Sequence, residues 1–489
     1  MCETKTTDET TTASSEIQHL LVGTMTQQKA EEIYALGKEA VIFALLTQYA
    51  LLMKANNENA QGQPSPSTPS ASTPTYLKPT AKKRKHKPGR PEGHKGEHRN
   101  VPQPDKTVPL QLERCPECGG PLSECRAKST RRQRIVEDIP EGIKTETTQY
   151  EMPTYWCPHC QKTFSPKVPD ALPASTIGNR LLTLTAWLHY SSGSTLSQVI
   201  ELFNYHLPIK LTPGGLIQSW ARLAEILNPW YEEIKAECLK SGVLHGDESG
   251  WRVNGQTQWL WCFATQKETY YFIVPSRGQP AVFEFFKEFY DGVLVTDFWG
   301  PYEQVECTGM QKCLAHLLRE FKRVEKYKDT SKDWPAFRKK LRRIIMDAIT
   351  LWRDKRETLE AEVYSRRCAL LESRLDTLLL QEYQNPEAQR LAKRLRKHRL
   401  AIFTFLYHTD VPFDNNHAER SIRPAVVMRK NSYGNRSSDG ANAQSILMSV
   451  FRTLKQRGFS PTDILCTALR QYCLTGTLPS LAVATQITK

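Results

Sequence analysis

Between residues 241 and 302, short apolar runs alternate with turn residues. Val243-Leu-His-Gly-Asp247, Gln258-Trp-Leu-Trp-Cys-Phe-Ala264 and Thr269-Tyr-Tyr-Phe-Ile-Val274 are rich in aromatic and β-branched side chains, which suits strands. Asn254-Gly255 lies between the first two, and both residues tolerate positive φ, so a tight hairpin is expected there. Pro280-Ala-Val-Phe-Glu-Phe-Phe-Lys-Glu-Phe289 spaces its apolar residues as a helix does, and Val293-Leu-Val295 reads as a buried strand. The pattern predicts an antiparallel three-strand meander, a crossover helix and a fourth strand parallel to the first. Upstream, residues 177–240 read as helices broken at Ser191-Ser-Gly193 and restarted at Thr212-Pro-Gly-Gly215. They suit either a helix-turn-helix DNA reader or a structural preface to the sheet. A helical pattern also covers residues 16–57, where Ile33, Leu36, Ala40, Phe43, Ala50 and Met53 recur near heptad spacing. It fits a coiled coil between subunits or an amphipathic helix packed on its own chain.

Asp247 and Asp297 each close one of the apolar strands expected to run parallel. Two carboxylates at one sheet edge repel unless a cation sits between them, and oxygen ligands suit magnesium or manganese. A strand-end aspartate also begins turns, but the β-β-β-α-β order around this pair is the start of a ribonuclease-H-like fold, whose third acid lies on a later helix. Phe413-Asp-Asn-Asn416-His-Ala-Glu419-Arg-Ser-Ile-Arg423-Pro424 supplies a candidate. Asp414 or Asn415 can cap a helix running at least to Pro424, and Asn416, Glu419 and Arg423 share one face. Glu419 and Arg423 at this spacing also suit a surface ion pair.

Charge narrows the partners. The formal net charge is +14, and residues 82–100 and 322–399 carry net +6 and +10 of it. Such concentration favours a polyanion, nucleic acid above all. In the first segment Lys82, Lys83, Arg84, Lys85 and Arg90 surround a Gly-Arg-Pro core that suits a narrow minor groove or a nonspecific phosphate-binding tail. The second contains Lys393, Arg394, Arg396 and Lys397, with Trp334, Trp352 and Tyr364 interleaved. Residues 61–80, dense in Pro, Ser and Thr, read as an extended linker. The opening residues lack the apolar core of a signal peptide, and no run approaches the roughly 20 apolar residues of a membrane span.

Cys115-Pro-Glu-Cys118 and Cys157-Pro-His-Cys160 are two knuckles of the kind that complete a closed four-cysteine zinc site. Strands expected at residues 134–140 and 148–152 make this a zinc ribbon; a redox pair or unpaired buried thiols are the alternatives. Thirteen cysteines, an odd number, argue against a disulfide framework.

Several motifs recur in an order that resembles the transposases of the insertion sequence 66 family. These are His-x-Asp247-Glu, Thr-Asp297 with Tyr302 five residues on, Cys313-Leu-Ala-His316-Leu-Leu-Arg-Glu-Phe, and Asp-Asn-Asn-x-Ala-Glu419-Arg-x-Ile-Arg-Pro. Lys-Pro-Gly-Arg-Pro-Glu-Gly-His-Lys-Gly, the paired cysteines, Arg429-Lys-Asn and Ser437-x-x-Gly-Ala extend the resemblance over roughly residues 85–470. Phe298-Trp-Gly-Pro departs from the smaller turn of many members. The resemblance implies a bacterial DDE transposase with Asp247, Asp297 and Glu419 as its triad. It implies two Mg2+ or Mn2+ ions about 3.5–4 Å apart, bridged by Asp247, for cleavage and strand transfer at transposon ends. Cys313 and His316 match a motif found beside such sites and are not expected to be ligands.

The expected architecture is an α/β, ribonuclease-H-like catalytic core with a helical insertion, preceded by an N-terminal helix and a zinc ribbon. Its parts are a helical segment at 1–60, linker and basic segment at 61–100, zinc ribbon at 101–172, and helical domain at 173–240. The catalytic domain follows at 241–430 with its insertion at 322–406, then a helical region at 431–489. Asp297 and Glu419 lie 122 positions apart, far more than one strand and one helix need, which is why an insertion is expected. Expected partners are transposon-end and target DNA, further copies of the chain in a homo-oligomer, and accessory transposition proteins. The expected location is the cytoplasm, on the nucleoid. A zinc-ribbon regulator without catalysis, and a plain nuclease, are the competing functions.

Overall fold

The computed structural model describes residues 27–38, 41, 42, 44, 146–151, 155–157, 159, 162–207 and 209–487. Of these, 27–38, 41, 42, 44 and 320–330 fall in one compact unit and the rest in a second. In the first unit, α1 (Gln27–Ala35) is interrupted at Gly37, and residues 38, 41, 42 and 44 are helical again. Gly37 takes φ +99, a left-handed conformation that glycine adopts without steric cost and that breaks a helix. Ile33 is buried while Leu36 is half exposed; Ala40, Phe43, Ala50 and Met53 lie outside the described residues.

The second unit opens with a small antiparallel hairpin, β1 (Tyr155–Cys157) and β2 (Lys162–Phe164). Three helices follow where the apolar spacing expects them: α2 (Asn179–Tyr190), α3 (Leu196–His206) and α4 (Pro213–Lys240). Thr195 closes a capping box with Gln198, and Thr212 caps α4 by accepting from the Gly215 amide, so each start is written locally. α4 buries a long apolar face including Trp220, Leu227 and Trp230 against its neighbours. It packs on the sheet, where the Tyr231 hydroxyl donates to the Tyr271 carbonyl at 2.7 Å.

The sheet is mixed. β3 (Val243–Val253), β4 (Gln256–Ala264) and β5 (Thr269–Val274) form the meander, and Asn254 and Gly255 turn the first hairpin at φ +49 and +74. α5 (Gln279–Phe285) crosses over to β6 (Tyr290–Thr296), parallel to β3, and β7 (Cys307–Lys312) adds in parallel outside it. The strand order is β5-β4-β3-β6-β7. Stacked rings of Phe263, Phe272 and Phe285 fill one face between sheet and crossover helix.

Helices α6 (Leu314–Tyr327), α7 (Trp334–Thr350), α8 (Ala361–Leu380), α9 (Pro386–Lys397) and the short α10 (Thr404–Tyr407) separate β7 from α11 (Asn416–Ser432). Trp334 is buried, and the Tyr364 hydroxyl is spent on the Leu406 carbonyl, so these aromatics serve packing between the basic helices. α11 runs through Pro424 to Ser432, beyond the minimum length that the sequence sets for it. The missing proline N–H costs one hydrogen bond, while Ile422, Ala425 and Met428 on both sides of it are buried.

α12 (Ser438–Gln456), α13 (Pro461–Thr475) and α14 (Leu481–Ile487) complete the unit. α12 lies along the β5 edge, where Ser449 and Thr453 hydroxyls accept from the Tyr271 and Thr269 amides at 2.9 and 3.1 Å. At the opposite edge the Thr404 hydroxyl donates to the Met310 carbonyl of β7 at 2.5 Å. Both edges thus have backbone groups covered from within the chain, a protection against edge-to-edge pairing. Among the described residues no helix is long and apolar enough to cross a membrane.

Candidate active site

Strand register brings the two aspartates level. The β3–β6 pairing runs Val243 with Val293, Leu244 with Leu294 and His245 with Val295, and Asp247 and Asp297 each lie two residues beyond its last pair. Asp297 leaves β6 as expected. Asp247 does not end its strand: β3 continues to Val253 against β4, because only the parallel partner stops. The aspartate therefore sits in the middle of a strand with sheet on one side, more rigid than a strand end.

Glu419 comes from α11, and the residues before it decide where. Asn415 is buried and stands at the N-cap position, yet its side chain serves the sheet. Its Oδ1 meets His245 Nδ1 at 3.0 Å, and its Nδ2 donates to the Gly246 carbonyl at 2.7 Å. Its backbone amide meets Cys313 Sγ at 3.1 Å. The cap is made by Asp414, which accepts from the Asn416 amide at 3.1 Å and from the Asn416 side chain at 2.6 Å. The Asp-Asn-Asn run thus pins the start of α11 to β3 and to the chain entering α6, and Glu419 follows one turn later. Instead of the possible partner Arg423, Glu419 takes Arg319 of α6 at 2.6 Å, with His316 Nε2 3.5 Å away.

Asp247 feels its acidic neighbours. Burial pushes the Asp247 carboxyl well above the usual range, and the charges of Glu248, Asp297 and Glu419 push it further. Glu248 is raised to about 7, mainly by burial and by Asp297, against the pull of Arg277. Tyr302 is buried, and its hydroxyl donates to Glu248 Oε2 at 2.7 Å. Lys312, the last residue of β7, is fully buried and donates to the Thr296 hydroxyl at 3.0 Å. Burial lowers its pKa to about 8, opposed first by the nearby charge of Asp297. Among the described residues no three His, Cys, Asp or Glu side chains are already gathered tightly enough to hold an ion, and Glu419 is engaged by Arg319.

Of the described basic residues expected at DNA, Lys393, Arg396, Lys397 and Arg423 are exposed and Arg394 is half-buried. Three of them also make contacts within the chain: Arg394 lies over the Phe298 ring at 4.4 Å, Arg396 donates to the Leu379 carbonyl at 2.7 Å, and Lys397 meets Glu303 at 2.5 Å. The Arg394 and Lys397 contacts join the end of α9 to the loop that begins at Asp297. A groove of about 840 Å³ runs beside β7, lined by residues including Glu303, Met310, Lys397, Leu400 and Tyr407. It includes none of the three acids.

Lys82, Lys83, Arg84, Lys85, Arg90, Cys115, Cys118 and Cys160 lie outside the described residues, as does the Cys157 side chain. Sequence reasoning missed the roles of Arg277, Asn415, Arg319 and Lys312. Glu248 and Asn415 stood in quoted motifs, so their neighbours marked them; nothing in Ser276-Arg-Gly278 marked Arg277.

The fold is an α/β one built on a mixed sheet, in a strongly basic chain. Residues 174–443 match the model of the transposase IS66 family, and the chain belongs to that family. The match takes in Asp247, Asp297 and Glu419 and leaves out the paired cysteines and the Lys82–Arg90 run. The chain is also similar to an uncharacterized protein, y4hP, of Sinorhizobium fredii (strain NBRC 101917 / NGR234). The two are 23% identical over 393 residues, 73% of this chain and 70% of that protein.

Proposed function

We propose that the protein is a DDE transposase that cleaves DNA at the ends of an insertion sequence and joins them to a target, with Asp247, Asp297 and Glu419 as its triad. The observation that supports this is that the β3–β6 register sets Asp247 and Asp297 level, while Asn415 ties the start of α11 to β3 so that the charges of Asp297 and Glu419 both reach Asp247. The strand order with an acid on the first strand, another after the fourth and a third on a later helix supports a ribonuclease-H-like core. The helices between β7 and α11 are then its insertion.

The donor set is all oxygen, which hard divalent cations prefer, and the half-buried, repelling Asp247 and Asp297 gain most from a counter-charge. Asp247, Asp297 and Glu419 would hold Mg2+ or Mn2+, two ions in all, which supply Lewis-acid polarisation and charge neutralisation at a phosphodiester. The chain's own part is orientation. The β3–β6 register sets the two aspartates side by side, and Asn415 fixes the approach of α11. Arg319 neutralises Glu419, and a DNA phosphate would replace that carboxylate as its partner. The end of α9, joined to the Asp297 loop through Phe298 and Glu303, aligns DNA lying along the insertion with the acids.

Cys157 closes β1, and Cys160 follows three positions later in the sequence, before β2 begins. The hairpin thus supports a knuckle in which these two complete a four-cysteine zinc site with Cys115 and Cys118. That ribbon and the Lys82–Arg90 run grip the transposon end, and a homo-oligomer brings two ends together.

Incubation of the full chain with DNA flanking its own gene and Mg2+ tests the reading. Nicks releasing 3′ ends, followed by strand-joined products, are expected. Asp247→Asn, Asp297→Asn and Glu419→Gln each lose cleavage by at least a hundredfold, on the order of other catalytic-group losses, while DNA binding stays within about twofold. Full cleavage by any of the three removes that residue from the triad.

A further inference from the structure

Asp247 is followed by a second carboxylate that is no part of the proposed triad. The Glu248 side chain is only 3% exposed, and both of its oxygens are engaged. Oε1 accepts from Arg277 Nε at 3.2 Å and from a terminal guanidinium nitrogen at 2.9 Å, and Oε2 accepts from Tyr302 at 2.7 Å. Glu248 is thus an anchor, and Arg277 is what it is anchored to.

Arg277 is itself clamped. Its guanidinium lies between two indoles, 4.5 Å from the Trp259 ring and 4.0 Å from the Trp299 ring, an arrangement that fixes a flat cation from both faces. Trp299 Nε1 donates to the Arg277 carbonyl at 3.3 Å, and the Trp299 backbone amide donates to Asp297 Oδ1 at 2.8 Å. On the other side, the Glu248 amide meets Asp247 Oδ1 at 3.0 Å. A continuous path therefore runs from Asp247 through Glu248, Arg277 and Trp299 to Asp297. Its last member is the bulky tryptophan of the Phe298-Trp-Gly-Pro turn.

We infer that Arg277 is a positioning residue that sets the separation of Asp247 and Asp297, through Glu248 on one side and Trp299 on the other, and so governs how tightly the acids bind a divalent cation. The inference rests on the reading of those aspartates as cation ligands. Arg277 touches neither of them; its effect passes through residues whose amides hold their carboxylate oxygens.

The test is Mn2+ titration of the full chain without DNA, reading free Mn2+ by electron paramagnetic resonance, for the wild type and for Arg277→Gln, Arg277→Lys, Trp299→Ala and Asp247→Asn. Arg277→Gln is expected to weaken Mn2+ binding 10- to 100-fold, the range found when supporting partners of metal ligands are removed. Trp299→Ala shifts it in the same direction. Arg277→Lys, which keeps the charge but not the flat face, falls between. In single-turnover cleavage the same variants need more Mg2+ and recover most of the rate at saturation, a split that general loss of structure does not give. Wild-type Mn2+ affinity in a folded Arg277→Gln overturns the inference while Asp247→Asn still loses binding. If Arg277→Gln does not fold, unchanged affinity in both Arg277→Lys and Trp299→Ala overturns it. If the wild type and Asp247→Asn bind Mn2+ alike, the reading of the acids fails and the inference goes with it.

Discussion

His398 shows how burial, helped by nearby cations, decides the protonation of one side chain. It is buried at the end of α9, with Nε2 3.2 Å from Glu303 Oε1. The carboxylate favours the charged ring, but burial and the charges of Lys312, Lys397 and Arg394 outweigh it and lower the pKa to about 4. A histidine whose folded pKa lies below 6.5 takes up its proton first in the unfolded chain. Stability from this group is therefore complete above pH 6.5 and falls as pH drops toward 4, by on the order of 2–3 kcal/mol. His398→Gln is expected to flatten that part of the pH–stability curve relative to the wild type, measured by urea unfolding at a series of pH values. An unchanged slope removes His398 as its source.

At the scale of elements, α11 is held in place by hydrogen bonds that its own helix does not use. Asn415→Ala leaves His245 Nδ1 and the Gly246 carbonyl without that partner in a buried site. At about 1–3 kcal/mol for each such group, a loss of roughly 2–4 kcal/mol is expected in denaturant unfolding. Cleavage should fall further than stability alone explains, because Glu419 rides on the same helix. The far end of α11 has a comparable lock. After Tyr433, Gly434 takes φ +119 and passes so close to β3 that an added Cβ would stand 2.2 Å from the Arg252 carbonyl oxygen. Asn435 then exchanges backbone hydrogen bonds with Arg252 and Asn254 at 2.9 Å each, and accepts from Trp251 Nε1 at 2.7 Å. Gly434→Ala is expected to break this bridge and to lower the melting temperature by several degrees, as about 2 kcal/mol or more does in a domain of this size. A melting temperature within one degree of the wild type counts against the close approach.

For the whole molecule, the proposal divides labour between two basic segments. Arg394, Arg396 and Lys397 each hold part of the fold, so neutralising them mixes folding with DNA contact; Lys393 is exposed and avoids this. Neutralising Lys82, Lys83, Arg84 and Lys85 together is expected to weaken DNA binding and to flatten its salt dependence, the log–log slope falling by about 0.9 for each phosphate no longer neutralised. Cleavage of bound DNA should stay near normal. Lys393→Ala is expected instead to lower single-turnover cleavage at saturating DNA. Salt-titrated binding measured beside that rate decides the matter, and the division fails if both changes act on affinity alone. Zinc analysis of the reduced, purified chain should give one ion per chain, and loss of zinc from a Cys157→Ser, Cys160→Ser variant ties it to the hairpin.

The sequence by itself determined the elements whose causes are local. The meander, its Asn254-Gly255 turn, the crossover helix and the starts of α3, α4 and α11 follow from apolar period, turn chemistry and capping residues, all within a few positions of one another. The motifs also marked the three acids, since Asp247, Asp297 and Glu419 each sit in a run of distinctive neighbours. Tertiary structure decided what those acids meet. That Asp247 lies within a long strand depends on β4 outlasting β6 as its partner. That Glu419 faces Arg319, 100 residues earlier, depends on how α6 and α11 enter the core. Arg277 finds Glu248 and two tryptophans only when three separate stretches fold together. Such contacts leave no periodic trace, because each joins single residues far apart in the chain, whereas a helix or a strand repeats its signal every few positions.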